Sequence, residues 1–173
     1  MALAQVWYHN FGGSTTLINR LNPLPFAEVA GGANSGAWEI ESQYDGTADD
    51  SDKLFTCPDT QEWQLFTIFV DYTSTAAAGD RQLQIVIQNA GAQTIHDIRP
   101  NVVQAASLQR YYNFGPSLAN QLAFYDTNQI QTPIPPTLFL KGGYTIRVYD
   151  NNVVAVAADD MLVTLAYGRR VVG

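Results

Sequence analysis

The chain has 173 residues, of which 46% are hydrophobic and only 14% are charged, and its formal net charge is −7. This length is that of about one domain, with a core large enough to fold without disulfides. Nucleic-acid binders gain affinity by neutralising phosphates, so an acidic chain is not expected to bind DNA or RNA directly. No apolar run approaches the ~18 residues that a membrane-spanning helix needs, so no membrane partner is expected.

The low charge content predicts a surface that is polar and neutral or covered by partners, since soluble domains average about 25% charged residues. The single cysteine, Cys57, excludes an intrachain disulfide and a cysteine metal cluster. The first residues, MALAQVWYHNFGG, show no basic start followed by an apolar block. We therefore expect no signal peptide and folding in a reducing cytoplasm.

Strand patterns begin in the first third of the chain. The segment 37-AWEIESQY-44 alternates apolar and polar residues, which predicts a half-buried strand with its glutamates toward solvent. The side chains expected to face inward are Trp38, Ile40 and Tyr44. The segment 63-WQLFTIFVDY-72 is apolar on both faces, which predicts a central strand covered on both sides.

Three further strands are predicted at 82-QLQIVIQN-89, 143-GYTIRVYD-150 and 161-MLVTLAYG-168, because each alternates apolar and polar residues. The side chains expected to face the core are Leu83, Ile85, Ile87, Tyr144, Ile146, Val148, Met161, Val163, Leu165 and Tyr167. The segment 100-PNVVQAASLQRYYNFG-115 allows a short helix from Pro100, but its second half fits a strand and we assign it mainly to strand.

Clusters of Gly, Pro, Asn and Asp separate these segments, as in 31-GGANSG-36 and 132-TPIPPT-137. Short strands with such punctuation predict an all-β fold, a β-sandwich of jelly-roll type, with at most a short helix. The absence of long amphipathic helical patterns argues against α/β enzyme folds. We predict a single domain over residues 1–173, with 1–35 either part of it or an extended N-terminal arm.

The stretch 138-LFLKGGYTIRVYD-150 contains a Lys-Gly-Gly that invites comparison with phosphate-binding loops. A Walker loop places Ser or Thr after the lysine and opens a helix, whereas a strand follows here. Paired glycines between two β-runs instead supply the positive φ of a turn. We predict a turn, with Lys141 as a surface charge at its tip.

Two sets of carboxylates are candidates for chemistry. Glu39 and Glu41 stand two residues apart on one strand, at a spacing close to that of a glycosidase acid and base. Because that face is predicted to be solvated, an ordinary polar strand face is the favoured interpretation. The acidic loop Asp45–Asp52 has oxygen ligands suited to calcium, but it lacks the D-x-[DN]-x-[DN]-G order, and a plain polar loop is favoured.

The remaining candidates are the thiol and the two histidines. Cys57 has no supporting motif and is predicted to be a packed thiol. His96 and Asp97 are neighbours on a strand and so point to opposite faces, and His9 has no partner motif. Asp159-Asp160 is expected to be only a polar lead-in to the last strand. We predict no enzymatic activity and assign no catalytic, cofactor-binding or metal-binding residue.

The C-terminal part of the chain resembles a known class of proteins. Its three successive segments are 111-YYNFGPSLANQLAFYD-126, 132-TPIPPTLFLKGGYTIRVYD-150 and 153-VVAVAADDMLVTLAYG-168. Together they are similar to virion structural proteins of tailed bacteriophages, in which a Pro-rich lead-in precedes a turn and an R-[IV]-x-D strand. The resemblance covers roughly residues 80–170, and the turn departs from the Pro-Ala-Gly or Pro-Pro-Gly more typical of that family.

The resemblance implies a non-enzymatic virion component assembled in the host cytoplasm. We expect a capsid decoration or cement protein that binds the major capsid protein as a symmetric homo-oligomer, a trimer first. A neck, tail or fibre component that binds another virion protein is the alternative within the same class. Two other hypotheses remain open: a glycan-binding module that uses the many Trp and Tyr residues, and a polysaccharide-cleaving enzyme that uses Glu39 and Glu41.

Overall fold

The computed structural model describes residues 37–49, 52–123, 126–152, 154 and 158–172, together with the backbone of 6–9 and 15–18. The chain divides into two compact units, Met1–Ala33 and Asn34–Gly173. The first unit contains an antiparallel pair of strands, β1 (Val6–His9) and β2 (Thr15–Ile18). The rest of the predicted arm lies outside the described residues, and the single-domain assignment stays a prediction.

The described part of the second unit consists of strands and loops, with no helix and hence none able to cross a membrane. Its strands in chain order are β3 (Glu39–Asp49), β4 (Lys53–Thr56), β5 (Gln61–Thr73), β6 (Leu83–Gln88), β7 (Thr94–Ile98), β8 (Gln109–Pro116), β9 (Gln121–Leu122), β10 (Gln129–Ile134), β11 (Phe139–Leu140), β12 (Thr145–Asp150) and β13 (Asp160–Val171).

These strands form two sheets that pack against each other around one hydrophobic core. The large sheet has the order β3-β13-β5-β8-β10-β9, with β11 also pairing with β5, and the small sheet has the order β4-β12-β6-β7. Leaving out β9, β10 and β11, the eight remaining strands are β3 to β8, β12 and β13. Counted from one to eight in chain order, they are arranged as 1-8-3-6 in the large sheet and 2-7-4-5 in the small sheet, which is the jelly-roll arrangement. The predicted all-β jelly roll is confirmed, and β9 to β11 are an insertion between its sixth and seventh strands.

The core is filled by the inward-facing residues of both sheets. The predicted inward positions on β6, β12 and β13 are all buried, and Tyr144 packs against them from the end of β12. The strand assigned within 100–115 is β8, and the residues before it form a loop held by a backbone bridge between Arg81 and Gln104. Burying each large side chain of this kind contributes about 1.5–3 kcal/mol.

Two predictions about strand faces are wrong. On β3 the apolar side is the exposed one: Trp38, Ile40 and Tyr44 are 41%, 82% and 65% exposed. The reason is that β3 is an edge strand, and its core-side positions at the margin of the sandwich are occupied by polar residues. On β5 the described residues fully cover only the face of Ile68; on the opposite face Phe66 is half-buried and Phe69 is 37% exposed.

The Lys-Gly-Gly segment is a turn, as predicted. The Tyr144 N–H donates to the Lys141 carbonyl at 3.0 Å, and Gly143 has φ +78°, which is the geometry of a type II turn. A Cβ on Gly142 would lie 2.5 Å from the Cα of Asp59, so the close approach of the backbone requires this glycine. The Lys141 side chain is exposed at the tip.

Candidate functional site

The glutamate pair on β3 forms an ion-pair cluster. One Arg169 Nη2 lies 2.9 Å from Glu39 Oε2 and 3.0 Å from Glu41 Oε1. Arg169 is directly opposite Glu39 in the β13–β3 register, which explains how one guanidinium reaches both carboxylates. The arrangement is that of a polar strand face with its own counter-ion.

The acidic segment Asp45–Asp52 is not all loop as predicted, because residues 45–49 continue the edge strand β3, and its carboxylates are likewise countered by cations. Lys53 Nζ lies 2.5 Å from Asp49 Oδ1 and 3.7 Å from Asp45 Oδ1, and it also donates to the Thr47 carbonyl at 2.8 Å. Arg147 Nε donates to Asp52 Oδ2 at 2.6 Å. Asp50 lies outside the described residues, and the residues that are described contain no group of three potential metal ligands.

Among the described residues, Cys57 and His96 are not placed beside the partners that a catalytic role would require. Cys57 is buried and its S–H donates to the Gln61 carbonyl at 3.4 Å, and burial raises the pKa of the thiol to about 11. Asp97 accepts a hydrogen bond from the Gln84 amide at 2.8 Å, on the face opposite to His96. The side chain of His9 lies outside the described residues.

A buried ion pair was not found by sequence reasoning. Asp159, predicted to be a polar lead-in, is fully buried, and its Oδ2 accepts a hydrogen bond from Arg81 Nε at 2.7 Å. Its Oδ1 accepts both the N–H and the O–H of Thr75 at 2.7 Å. Burial alone would raise the pKa of the Asp159 carboxyl, but the hydrogen bonds from Arg81 and Thr75 outweigh it and lower that pKa.

The remaining donors of this ion pair and its surroundings are also satisfied. Arg81 Nη1 donates to the carbonyls of Ala77 and Gly79 at 2.9 and 2.7 Å. The Gln104 amide donates at 2.9 Å to the Tyr72 carbonyl and accepts the Tyr112 hydroxyl at 3.0 Å. A buried network whose described groups are hydrogen-bonded to one another in this way anchors loops.

The outward side of the large sheet, called here the outer face, exposes aromatic and aliphatic side chains. One row of directly paired residues crosses all six strands of the main path and contains no charge. Its members are Tyr44, Thr164, Phe69, Asn113, Gln131 and Gln121. A second row crosses four strands, β3, β13, β5 and β11, and consists of Ile40, Gly168, Gln64 and Phe139.

An aromatic cluster covers one end of the outer face. Trp38 and Phe66 both lie over Gly168, where the position of a Cβ would be 3.3 and 3.1 Å from their rings. The Trp38 and Phe139 ring centroids are 5.9 Å apart, and the Arg170 guanidinium lies 5.1 Å above the Trp38 ring. Even so, Trp38 remains 41% and Phe139 48% exposed.

A second aromatic pair lies further along the outer face. The rings of Phe69 and Tyr111 are stacked, with centroids 6.2 Å apart and an interplanar angle of 14°. Beside them the Gln109 amide donates to Asp71 Oδ1 at 2.9 Å. Contiguous exposed apolar side chains with a polar margin mark interaction surfaces rather than ordinary solvated sheets.

The chain was compared with protein families, curated proteins and solved structures. No family model matches the chain, and no curated protein matches it. Among solved structures, a chain in the structure of infectious bursal disease virus, Gx strain, is 8% identical with a TM-score of 0.32. That match covers 80% of this chain and 42% of the other, so this chain spans less than half of the viral one.

Proposed function

We propose that this protein is a non-enzymatic structural component of a virion, most simply a capsid decoration protein that docks on the shell through the outer face. The observation that carries the proposal is the exposure of aromatic and aliphatic side chains across that face. The face lies on a two-sheet scaffold, and its two rows of paired residues carry no charge. The C-terminal resemblance to virion proteins of tailed bacteriophages supports the same class.

The composition of the outer face suits a protein partner. Protein interfaces are enriched in aromatic residues and depleted of charge at their centre, with a polar rim. Here the charges lie at the margin, where Arg170 Nε donates to Glu62 Oε2 at 2.8 Å and Asp71 accepts from Gln109. β5 has the sequence of a strand covered on both sides, and a docked partner would supply the cover that the described residues leave incomplete over Phe69.

The charge of the chain fits a position on a shell. A net charge of −7 repels packaged DNA, so the protein would not compete for the genome during assembly in the host cytoplasm. A symmetric oligomer, with a trimer as the first expectation, would place several outer faces on a lattice of identical partners. The major capsid protein is the partner of a decoration protein, and another virion protein that of a neck, tail or fibre component.

The test is binding of purified protein to shells that lack it. Phe69→Asp and Phe139→Asp each place a charge in the outer face and should weaken binding about tenfold or more. The matched control is Leu54→Asp, because Leu54 is 59% exposed but lies on the small sheet, and it should bind normally. Absence of the protein from purified virions by mass spectrometry, or equal binding by all three variants, would refute the proposal.

A second candidate function rests on the Phe69–Tyr111 stack. Aromatic rings beside side-chain amides and a carboxylate are the combination that sugars bind, through apolar ring faces and hydroxyl hydrogen bonds. Here Asp71, Gln109 and Asn113 surround the stacked pair. Selective binding on a glycan array that is abolished by Tyr111→Ala would favour host recognition over decoration, and a blank array would exclude it.

A further inference from the structure

The free edge of β3 carries an inference that does not depend on what the outer face binds. Among the described residues β3 pairs with β13 on one side only, so it is the edge of the large sheet. Unpaired strand edges are templates for pairing with another strand, and natural proteins usually protect them. Which of its backbone groups are unpaired follows from the hydrogen bonds of the neighbouring strands.

The hydrogen bonds of β13 alternate between its two neighbours. The Leu65 N–H donates to the Leu138 carbonyl at 3.0 Å, so the backbone groups of Leu65 are directed away from β13. The backbone groups of its neighbour Gln64 are therefore directed to β13 and bond to Gly168. The bond from the Val172 N–H to the Thr60 carbonyl at 2.9 Å has the same phase. Because the backbone N–H and C=O of Gly168 are directed to β5, those of Tyr167 must be directed to β3.

This alternation fixes the free groups on β3. Tyr167 is opposite Glu41, so the backbone groups of Glu41 bond to β13. The backbone groups of the residues on either side of Glu41 are directed away from β13, to the sheet edge. Continuing along the regular part of β3, the N–H and C=O groups of Ile40, Ser42 and Tyr44 are all directed to the free edge. The side chains of the same three residues are exposed on the outer face.

We infer that this edge pairs antiparallel with β3 of a second copy of the chain, about a two-fold axis that passes beside Ser42. In this register Ser42 meets its own symmetry mate, and Ile40 lies opposite Tyr44 of the second copy. These are the three residues with outward backbone groups, so every one of those groups gains a partner. The cross-strand pairing of an aliphatic residue with an aromatic one adds to the contact on each side of the axis.

The charges on the other side of β3 and the pairing of its apolar side chains together favour this register. With the axis at Ser42, Glu41 lies opposite Gln43, and no like charges meet next to the axis. Moving the axis to Gln43 would place Glu41 opposite Asp45, and moving it to Glu41 would place that carboxylate against itself, and like charges directly opposite are destabilising. Glu39 and Asp45 meet at the ends of the Ser42 pairing, where Arg169, which also contacts Glu41, and Lys53 are the counter-ions. Charge therefore disfavours the Glu41 axis, and the Gln43 axis is disfavoured because it would place Ile40 opposite Gly46 and lose the pairing of Ile40 with Tyr44.

The contact is isologous and produces a dimer. It joins two large sheets edge to edge and places the two outer faces side by side, which enlarges the surface available to a partner. The trimer expected from the sequence is compatible with it only as three dimers in a hexamer. A solution mass of a dimer or a hexamer is therefore expected.

Charge swaps at the exposed positions test the register. Ile40→Lys with Tyr44→Lys brings two lysines together twice across the axis and should shift the dimer to monomer, raising its dissociation constant about tenfold or more. Ile40→Lys with Tyr44→Glu brings opposite charges together in the same places and should restore the dimer. The readout is light scattering across a wide range of concentration, with circular dichroism to show that all variants fold.

A cysteine scan supplies a second readout at the axis itself. Paired residues across such a hydrogen-bonded position lie about 5.5 Å apart at Cα, which a disulfide spans, so Ser42→Cys should crosslink on oxidation. Gln43→Cys should not, because its symmetry mate is a diagonal neighbour beyond about 7 Å. A monomer or an isolated trimer for the unmodified chain, equal loss in both charge variants, or crosslinking only through Gln43→Cys would overturn the inference.

Discussion

Arg81 and Asp159 are 78 residues apart in the chain, and yet Arg81 Nε donates to Asp159 Oδ2 at 2.7 Å with both side chains fully buried. The pair ties the loop before β6 to the start of β13, and so joins the two sheets at one end of the sandwich. Buried ion pairs of this kind specify geometry more than they add stability, because desolvation offsets much of the attraction.

Removing one partner of this pair should be strongly destabilising. Asp159→Asn or Arg81→Met leaves the other group buried with an unmatched charge, and we expect a loss of about 3–5 kcal/mol in the free energy of unfolding. The double replacement Arg81→Met with Asp159→Leu should cost much less than the sum of the two. Urea denaturation measures all three.

The control for that series is the exposed pair of Arg99 and Asp97, joined at 3.1 Å. Arg99→Met should leave the urea midpoint almost unchanged, because exposed ion pairs are screened by water. If Arg99→Met and Arg81→Met had the same effect, burial of the Arg81–Asp159 pair would not be the cause of its importance.

The Asp159 carboxyl makes the stability of the fold depend on pH. Because its pKa in the folded protein is lowered from an ordinary value of 3.8, Asp159 stabilises the fold above that value and loses this contribution as the pH falls through the lowered pKa. The difference in unfolding free energy between the native chain and Asp159→Asn should therefore shrink below about pH 4. A difference that is constant from neutral to acid pH would contradict the assignment.

Alternation along β12 and β13 predicted their buried faces correctly because only one face of each strand is fully buried. It also found the core-facing residues of β6, although Gln84 and Val86 on the other face of that strand are buried too. The same rule failed on β3, since a period of two defines two faces but does not say which one meets the core. That depends on the pairing of β3 with β13, the first and last strands of the sandwich in chain order, which places β3 at the sheet edge. A pairing between residues so far apart in the chain cannot be read from the local sequence of β3.

The Arg81–Asp159 pair was unpredictable for a related reason. Both residues occur in turn-rich segments, where charged residues are ordinarily exposed. Only the packing of the loop before β6 against the start of β13 brings them together. The outer face was partly predictable, since the apolar pattern of 63–72 predicts cover on both sides and the described residues leave Phe69 exposed on one of them.

Replacing the two glycines of the turn after Lys141 should destabilise the fold to different degrees. Gly143→Ala should cost about 1–2 kcal/mol, because φ +78° is unfavourable for any residue with a Cβ. Gly142→Ala should cost more, since its Cβ would lie 2.5 Å from backbone of Asp59, which cannot give way as a flexible side chain can. Lys141→Ala is the control, and thermal melting should find it nearly neutral. A large effect of Lys141→Ala would point to a role for its charge beyond the turn.

The thiol of Cys57 should be unreactive in the folded protein. Its burial raises the pKa to about 11, so the nucleophilic thiolate is scarce at neutral pH and is also inaccessible. Labelling with an aromatic disulfide reagent should be slow without denaturant and complete in urea, where the thiol regains an ordinary pKa. Asp159→Asn, by weakening the fold, should increase the native labelling rate, because labelling then proceeds through the unfolded chain. Rapid labelling of the unmodified protein at neutral pH would show that Cys57 is not packed as described.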